Sequence, residues 1–281
     1  MLLIKFFLFL PLLSSLSFSH KFYSFTINYG SGTGELGIIF EPETPPIGPF
    51  AFSTDTEGNI YISDPVNSSI KIFSFKEGKI SGTIPFKGLY DDLMVSPLDE
   101  IYILKRDSSE ILKIEKNGEI SSLNFDGISK IPSKLFLWKG KVFVRKEGEI
   151  SYLTKKDLEE LSYFYSVEYL RKGEGKLKKI DSSGKIISEK FIKRDNLVSL
   201  EFLNEDREGK IYIQVEYLID ETKVGLEVLK LNPSGDLIDV VPIPENDYFI
   251  WTSRLLFVDD RGWIYQVLPK RDFVKINIWG Y

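Results

Sequence analysis

The chain has 281 residues, 43% of them hydrophobic, and carries a formal net charge of −5 at pH 7. That length fits one large all-β domain or two ordinary domains. The acidic balance makes nucleic acid an unfavoured partner. With no cysteine and one histidine, His20, the folded body can hold neither a Cys/His zinc cluster nor a histidine- or cysteine-based catalytic group. Lys, Glu and Ile abound whereas Met and Gln are scarce, a bias typical of proteins from hot environments.

The N-terminus has the pattern of a secretory signal. Phe6–Phe18 is an apolar run, and Ser17 and Ser19 are small residues that suit cleavage before His20. A membrane-spanning helix needs ~20 apolar residues, more than this run supplies. We therefore expect a signal peptide at residues 1–19, no stable membrane span after its removal, and a single secreted or periplasmic domain over residues 20–281.

A pattern of two consecutive β-hairpins recurs along the chain. The first hairpin joins an apolar strand, through an acidic or glycine turn, to a strand with a central aromatic residue. These aromatic residues are Tyr61, Tyr102, Phe143, Tyr212 and Tyr265. Alternating apolar residues indicate strands, and Asp/Asn/Gly turns indicate hairpins. Two hairpins every ~40–45 residues is the period of a four-stranded β-propeller blade, whose strands we call A to D from axis to rim.

The copies differ in completeness. Six segments fit a third strand, but only five fit an A–B hairpin, and ten residues separate Tyr165 from Lys176. The pattern predicts six blades with a truncated fourth blade, whose inner strand is Val167–Lys172; five blades with a long insertion in the third is the alternative. The last blade ends at Phe273–Trp279 without a D strand. The alternating segment Phe22–Tyr29 can supply that strand and close the ring.

The first blade carries a recognisable pattern of polar residues. Tyr29–Phe40 is a glycine-rich segment, and Gly48–Ile72 follows it with an apolar strand, Asp-x-x-Gly-Asn, Ile-Tyr-Ile and Asp-x-x-Asn. The polar positions are Asp55, Gly58, Asn59, Asp64 and Asn67. This stretch resembles the NHL-repeat family of β-propellers, and the match is strongest in the first blade. The resemblance implies a propeller and a habit of binding macromolecules, without naming a substrate.

Basic pairs recur where the second strand of a blade ends. They are Lys105 with Arg106, Arg145 with Lys146, Arg171 with Lys172, and Lys270 with Arg271. In a propeller the B–C loops share one face of the disc with the D–A connections, so these pairs would ring that face. Such a ring can attract an anionic partner. The alternative is that the pairs are solvated strand ends whose charge is offset by acids nearby.

Other polar and aromatic residues also allow two interpretations. Asp64 and Asn67 can contact a partner or bond their own loop. The carboxylates that could hold a divalent cation in the channel, as in gluconolactonase-like propellers, are Asp55, Asp206, Asp259 and Asp260. Each lies in or beside an A–B turn, where Asp commonly caps its own turn. The four tryptophans, Trp138, Trp251, Trp263 and Trp279, could stack on sugars, but packing in the core or at edges is favoured; Trp251 is the one expected to be exposed.

The sequence favours a non-enzymatic binding or scaffolding propeller outside the cytoplasm. It would dock a protein, an anionic glycan or another envelope component on the face of the D–A and B–C loops. We expect no catalytic residue and no cofactor. The alternative function is a hydrolase or lactonase that uses a carboxylate-bound divalent cation in the central channel.

Overall fold

A computed structural model describes residues 21–88, 90–105, 110–124, 132–146, 149–152, 161–171 and 173–280. The predicted signal peptide and His20 lie outside these ranges. The regular elements within them are β-strands, arranged in six antiparallel sheets, and no helix there is long and apolar enough to cross a membrane. The strands are β1 (Lys21–Asn28), β2 (Phe52–Thr54), β3 (Ile60–Asp64), β4 (Ser69–Phe73), β5 (Ile80–Pro85), β6 (Asp92–Val95), β7 (Ile101–Lys105), β8 (Glu110–Ile114), β9 (Ile120–Asn124), β10 (Pro132–Trp138), β11 (Lys141–Lys146), β12 (Glu149–Tyr152), β13 (Tyr163–Arg171), β14 (Glu174–Asp181), β15 (Ile186–Lys193), β16 (Leu197–Glu205), β17 (Ile211–Leu218), β18 (Val224–Leu231), β19 (Leu237–Ile243), β20 (Phe257–Val258), β21 (Ile264–Pro269) and β22 (Phe273–Gly280).

Five of the sheets are the blades of a β-propeller. They are β2-β3-β4-β5, β6-β7-β8-β9, β10-β11-β12, β16-β17-β18-β19 and β20-β21-β22-β1. The inner strands follow one another around the axis: β2 contacts β6, β6 contacts β10, β10 contacts β16, and β16 contacts β20. Strand β3 is buried on both faces because neighbouring blades cover it, whereas the outer strand β5 alternates between half-buried and exposed residues. The hairpin period therefore predicted the architecture correctly.

The sixth sheet, β13-β14-β15, is not a blade. Strands β10 and β16 contact each other and line the same small cavity on the axis, so this sheet places no strand between them there. It packs farther out, where Tyr165 and Leu177 are buried with Trp138 of β10 and Phe202 of β16. The prediction of six blades with a truncated fourth is therefore wrong, as is Val167–Lys172 as an inner strand. The correct count is five, because the hairpin pattern records pairing between strands but not which strands reach the axis.

The N-terminal strand closes the ring. Strand β1 pairs with β22 along its whole length, from Lys21 opposite Gly280 to Asn28 opposite Phe273. The hydroxyl of Ser24 donates to the Asn277 side chain at 2.8 Å, which adds a side-chain bond to the ladder. The last blade is thus completed by the other end of the chain, as the alternation in Phe22–Tyr29 predicted.

Stability depends on this closure because the chain has no disulfide to hold the ring. Ile27 is the buried residue of β1, whereas Thr26 beside it is exposed. We expect Ile27→Ala to lower the free energy of unfolding by about 2–4 kcal/mol, since it leaves a cavity in the last blade. Thr26→Ala is the control and should change it by less than about 0.5 kcal/mol. Urea denaturation measures both, and equal effects would contradict a closing role for β1.

Candidate functional site at the axial funnel

The acidic A–B turns cap themselves. Asp55 Oδ1 accepts hydrogen bonds from the backbone amides of Glu57 and Asn59, both at 2.9 Å. The carboxylates of Asp206 and Asp259 accept from the amides two and four residues later in the same way. These are the bonds expected of an aspartate that stabilises its own turn.

The same turns also bind the central aromatic residue of the blade. Tyr212 donates to Asp206 and Tyr265 donates to Asp259, each at 2.9 Å. Burial, with the nearby carboxylate of Asp55, raises the pKa of Tyr61 to about 12, and burial together with Asp259 raises the pKa of Tyr265. These tyrosines stay protonated at neutral pH, so they serve as hydrogen-bond donors to the turns.

Asp260, the remaining candidate metal ligand, lies beside the Asn204 side chain, whose Nδ2 approaches it at 3.5 Å. Among the residues that the structure describes, no group of three or more His, Asp or Glu side chains could hold a metal ion. The geometry therefore gives no support to a cation-dependent hydrolase built on Asp55, Asp206, Asp259 and Asp260.

Asp64 and Asn67 attach the glycine-rich lead-in to the first blade. Asp64 is fully buried and accepts from the Gly37 amide at 2.9 Å and from Asn67 Nδ2 at 2.8 Å. Asn67 Nδ2 also donates to the Gly30 carbonyl at 2.9 Å. Lys71 forms an ion pair with Asp64 at 3.3 Å. Both predicted binding residues are thus engaged within the chain.

The basic pairs lie largely beside carboxylates. Lys105 pairs with Glu110 at 3.5 Å, and Arg171 pairs with Glu174 at 2.7 Å. Lys270 pairs with Asp247 and, at 3.4 Å, with Glu245. Lys275 and Lys270 hold the pKa of Glu245 below its usual range. The positive charge at these three positions is therefore largely offset.

The other basic residues of these pairs lie at strand ends or outside the described residues. Arg271 is exposed, and Arg145 and Lys146 end β11. Arg106 and Lys172 lie outside the described residues.

A funnel opens at the axial end that faces the D–A and B–C loops. The connection between β19 and β20, residues 244–256, runs across this end and supplies one wall. The beginning of β10, the beginning of β16 and the middle of β17 supply the others. The lining residues are Lys134, Ser199, Leu200, Glu201, Gln214, Glu216, Trp251, Thr252, Ser253, Arg254 and Leu255, around a volume of about 600 Å³. We call this space the axial funnel.

A buried ion pair between Asp92 and Arg254 lies beneath the axial funnel, and of the two only Arg254 lines it. Arg254 Nη2 bonds the Asp92 carboxylate and donates to the carbonyls of Leu93 and Leu135 at 3.3 and 3.2 Å. Asp92 also accepts from the Leu135 amide at 2.8 Å and from the Ser253 hydroxyl at 2.9 Å. The pair therefore joins the last D–A connection to the second and third blades.

Within the described part of the chain, three buried polar atoms of residues that line the axial funnel have no protein partner. They are Gln214 Oε1, Thr252 Oγ1 and Arg254 Nε, and each of these residues is only 4% exposed. Leaving a buried donor or acceptor unsatisfied costs ~1–3 kcal/mol, so such atoms are uncommon and seldom gather in one place. All three residues line the axial funnel, whereas the other such atoms, Thr54 Oγ1, Ser69 Oγ and Tyr90 OH, belong to residues that do not.

The only other glutamine shows the contrast. Gln266 is also buried on the second strand of a blade, but its amide donates to the Glu245 carbonyl at 2.6 Å and accepts from Asn277 Nδ2 at 2.9 Å. Tyr248 contacts the same amide at 3.1 Å, and burial raises the pKa of Tyr248. Gln266 is thus bonded through both ends of its amide, whereas Gln214, in the wall of the axial funnel, has a buried carbonyl without a partner in the described part of the chain.

The charges that line the axial funnel balance. Lys134 pairs with Glu201 at 2.5 Å, and Glu216 accepts from Ser199 at 2.6 Å. With Arg254, the wall carries two cationic and two anionic side chains. The funnel therefore offers both donors and acceptors without a strong net charge.

Trp251 stands at the rim of the axial funnel and is 68% exposed. It also lines a neighbouring cleft of about 630 Å³, which we call the side cleft, together with Pro45, Ile47, Ile250 and Lys105. The prediction that Trp251 is exposed is confirmed. Trp138 and Trp279 are buried, and Trp263 is half-buried against the core of the last blade.

The sequence did not single out Gln214, Thr252 or Arg254. Trp251 was the one residue of the axial funnel that it marked. A usable signal was present, because the chain has only two glutamines and Gln214 lies in an otherwise apolar run, Ile-Tyr-Ile-Gln-Val. Whether such a side chain is bonded, however, depends on contacts between blades that the sequence does not show.

Comparison with known proteins shows the fold. No protein-family model and no curated protein matches this chain. Among solved structures, a member of the DUF4221 family from Bacteroides vulgatus aligns with a TM-score of 0.54 at 14% identity, covering 92% of this chain and 96% of that one. Virginiamycin B lyase from Staphylococcus aureus aligns with a TM-score of 0.46 at 12% identity, covering 93% and 100%. Hydrazine synthase from Kuenenia stuttgartiensis aligns with a TM-score of 0.47 at 14% identity, covering 82% and 75%. At such identities the likeness establishes the β-propeller fold and nothing further.

The buried ion pair can be tested by removing one partner. Asp92→Ala should lower the free energy of unfolding by about 3–5 kcal/mol, because it leaves the Arg254 guanidinium buried without its counter-charge. Arg171→Ala breaks an exposed ion pair and serves as the control, with an expected loss of about 0–1 kcal/mol. Denaturant unfolding would show the difference, and similar losses would contradict the role of the pair.

The two glutamines form a second test. Gln214→Leu should raise the free energy of unfolding by about 1 kcal/mol, because it removes a buried acceptor that has no partner. Gln266→Leu should lower it by about 1–3 kcal/mol, because it leaves its former partners unsatisfied. The comparison needs only thermal and urea unfolding. Equal destabilisation by both changes would mean that Gln214 is a structural residue.

Proposed function

We propose that the protein is an exported, non-enzymatic binding propeller that docks a component of the cell envelope on the face of the D–A and B–C loops. The observation that carries the proposal is that three residues with a buried atom left unpartnered in the described part of the chain, Gln214, Thr252 and Arg254, line the axial funnel together with the exposed Trp251. The N-terminal signal pattern in residues 1–19 supports export. The relationship to the NHL-repeat family is part of the same proposal, and the polar pattern of the first blade supports it.

Binding fits the geometry better than catalysis. The four acidic residues considered as metal ligands lie at the A–B turns, at the far end of the disc from the axial funnel. Three of them accept backbone amides of their own turns. In the axial funnel, Glu201 is ion-paired and Glu216 accepts a hydroxyl. A polar, charge-balanced cavity beside an exposed indole is suited to holding a ligand.

The absence of cysteine allows a test by site-directed crosslinking. Val198, at the start of β16, is exposed at the funnel end, whereas Glu208, 72% exposed, lies at an A–B turn on the opposite face. Single-cysteine variants V198C and E208C are labelled with a photoactivatable maleimide and irradiated with envelope preparations of the source cells. We expect a defined adduct from V198C and none from E208C.

The control is V198C carrying Trp251→Ala, which keeps the label but removes the exposed indole, and its adduct should be lost. Equal labelling from V198C and E208C, or no adduct from either, would overturn the proposed binding face. Treating the adduct with protease or with periodate shows whether the captured partner is protein or carbohydrate.

A further inference from the structure

We propose that the ligand of the axial funnel is a neutral carbohydrate chain, stacked on Trp251 and hydrogen-bonded by Gln214, Thr252 and Arg254. This inference rests on the proposed function and names the class of ligand for the same site. It narrows the partners expected from the sequence, because the basic residues that suggested an anionic partner lie beside carboxylates at three of their positions.

The first support is that the wall of the axial funnel contains both hydrogen-bond donors and acceptors. A sugar hydroxyl both donates and accepts, so a surface that binds it must present both kinds of atom. The buried, unpartnered atoms of the wall residues include both kinds: Arg254 Nε is a donor, Gln214 Oε1 is an acceptor, and the Thr252 hydroxyl is either.

The second support is charge. The axial funnel carries two cationic and two anionic side chains, and Lys134 and Glu201 already form an ion pair at 2.5 Å. A phosphorylated or carboxylated ligand would need an excess of positive charge to offset the loss of its hydration. A neutral polyol has no such requirement.

The third support is the indole. Trp251 is 68% exposed and is shared by the axial funnel and the side cleft. The apolar face of an exposed indole can stack on the C–H groups of a pyranose ring, while its N–H remains in contact with water. The rest of the funnel has little apolar lining, only Leu200 and Leu255, which leaves few pockets for the apolar side chains of a peptide.

The shared indole also indicates the length of the ligand. The axial funnel and the side cleft have volumes of about 600 and 630 Å³ and meet at Trp251. A chain that ends in the funnel can therefore continue over the indole toward Ile47 and Ile250. This geometry fits an oligosaccharide of several units rather than a single sugar.

The test is isothermal titration of the purified chain with neutral hexasaccharides of glucose, mannose and N-acetylglucosamine, and with hexagalacturonate as the anionic comparison. We expect a neutral hexasaccharide to bind saturably with a Kd below about 1 mM. Trp251→Ala should weaken it about tenfold or more, and so should Gln214→Leu, whose fold is retained. Phe191→Ala is the matched control, because Phe191 is 63% exposed but lies on the outer sheet, and it should change affinity less than twofold.

Each other outcome overturns the carbohydrate assignment. These outcomes are binding of hexagalacturonate alone, no saturable binding of any neutral hexasaccharide, and equal loss in Phe191→Ala and Trp251→Ala. The two proposals fail separately. A protease-sensitive, periodate-resistant adduct from V198C would support the proposed binding face and contradict the carbohydrate assignment. The absence of any V198C adduct would contradict the proposed binding face itself.

Discussion

The arrangement of the axial funnel depends on one buried ion pair, between Asp92 and Arg254. Its atoms reach the second blade, the third blade and the connection that leads into the last blade. A buried pair of charges contributes less to net stability than its Coulomb energy suggests, but it fixes geometry, because either charge alone would be strongly unfavourable there. The position of Thr252 and Trp251 on the same connection therefore follows from where Arg254 is held. The buried ion pair therefore determines where the polar side chains of this connection lie in the axial funnel.

The two ends of the disc use similar residue types in opposite ways. At the A–B turns, aspartates and tyrosines bond one another and the backbone, as Asp259 and Tyr265 do. At the funnel end, a glutamine, a threonine and part of an arginine are buried without such bonds. The first arrangement stabilises each blade locally. The second leaves polar groups that the described part of the chain does not bond, so the two ends differ in how their polar groups are paired.

The sequence predicted the local structure well because hairpins are local. The A–B turns, the central aromatics and the strand that closes the ring all follow from alternation and turn chemistry. The blade count was wrong because β13, β14 and β15 have the same hairpin pattern as a blade, while their distance from the axis is a property of packing against Trp138 and Phe202. For the same reason Trp251 could be marked from its position, whereas the unbonded state of Gln214 depends on which neighbours it lacks.

The pairing of β1 with β22 also determines the order in which the molecule can be completed. Its partners are separated by almost the entire chain; Ser24 and Asn277, for example, are 253 positions apart. Strand β1 cannot pair until β22 has been synthesised, and contacts between such distant residues form slowly. The same seam that makes the finished ring hard to open thus postpones its formation.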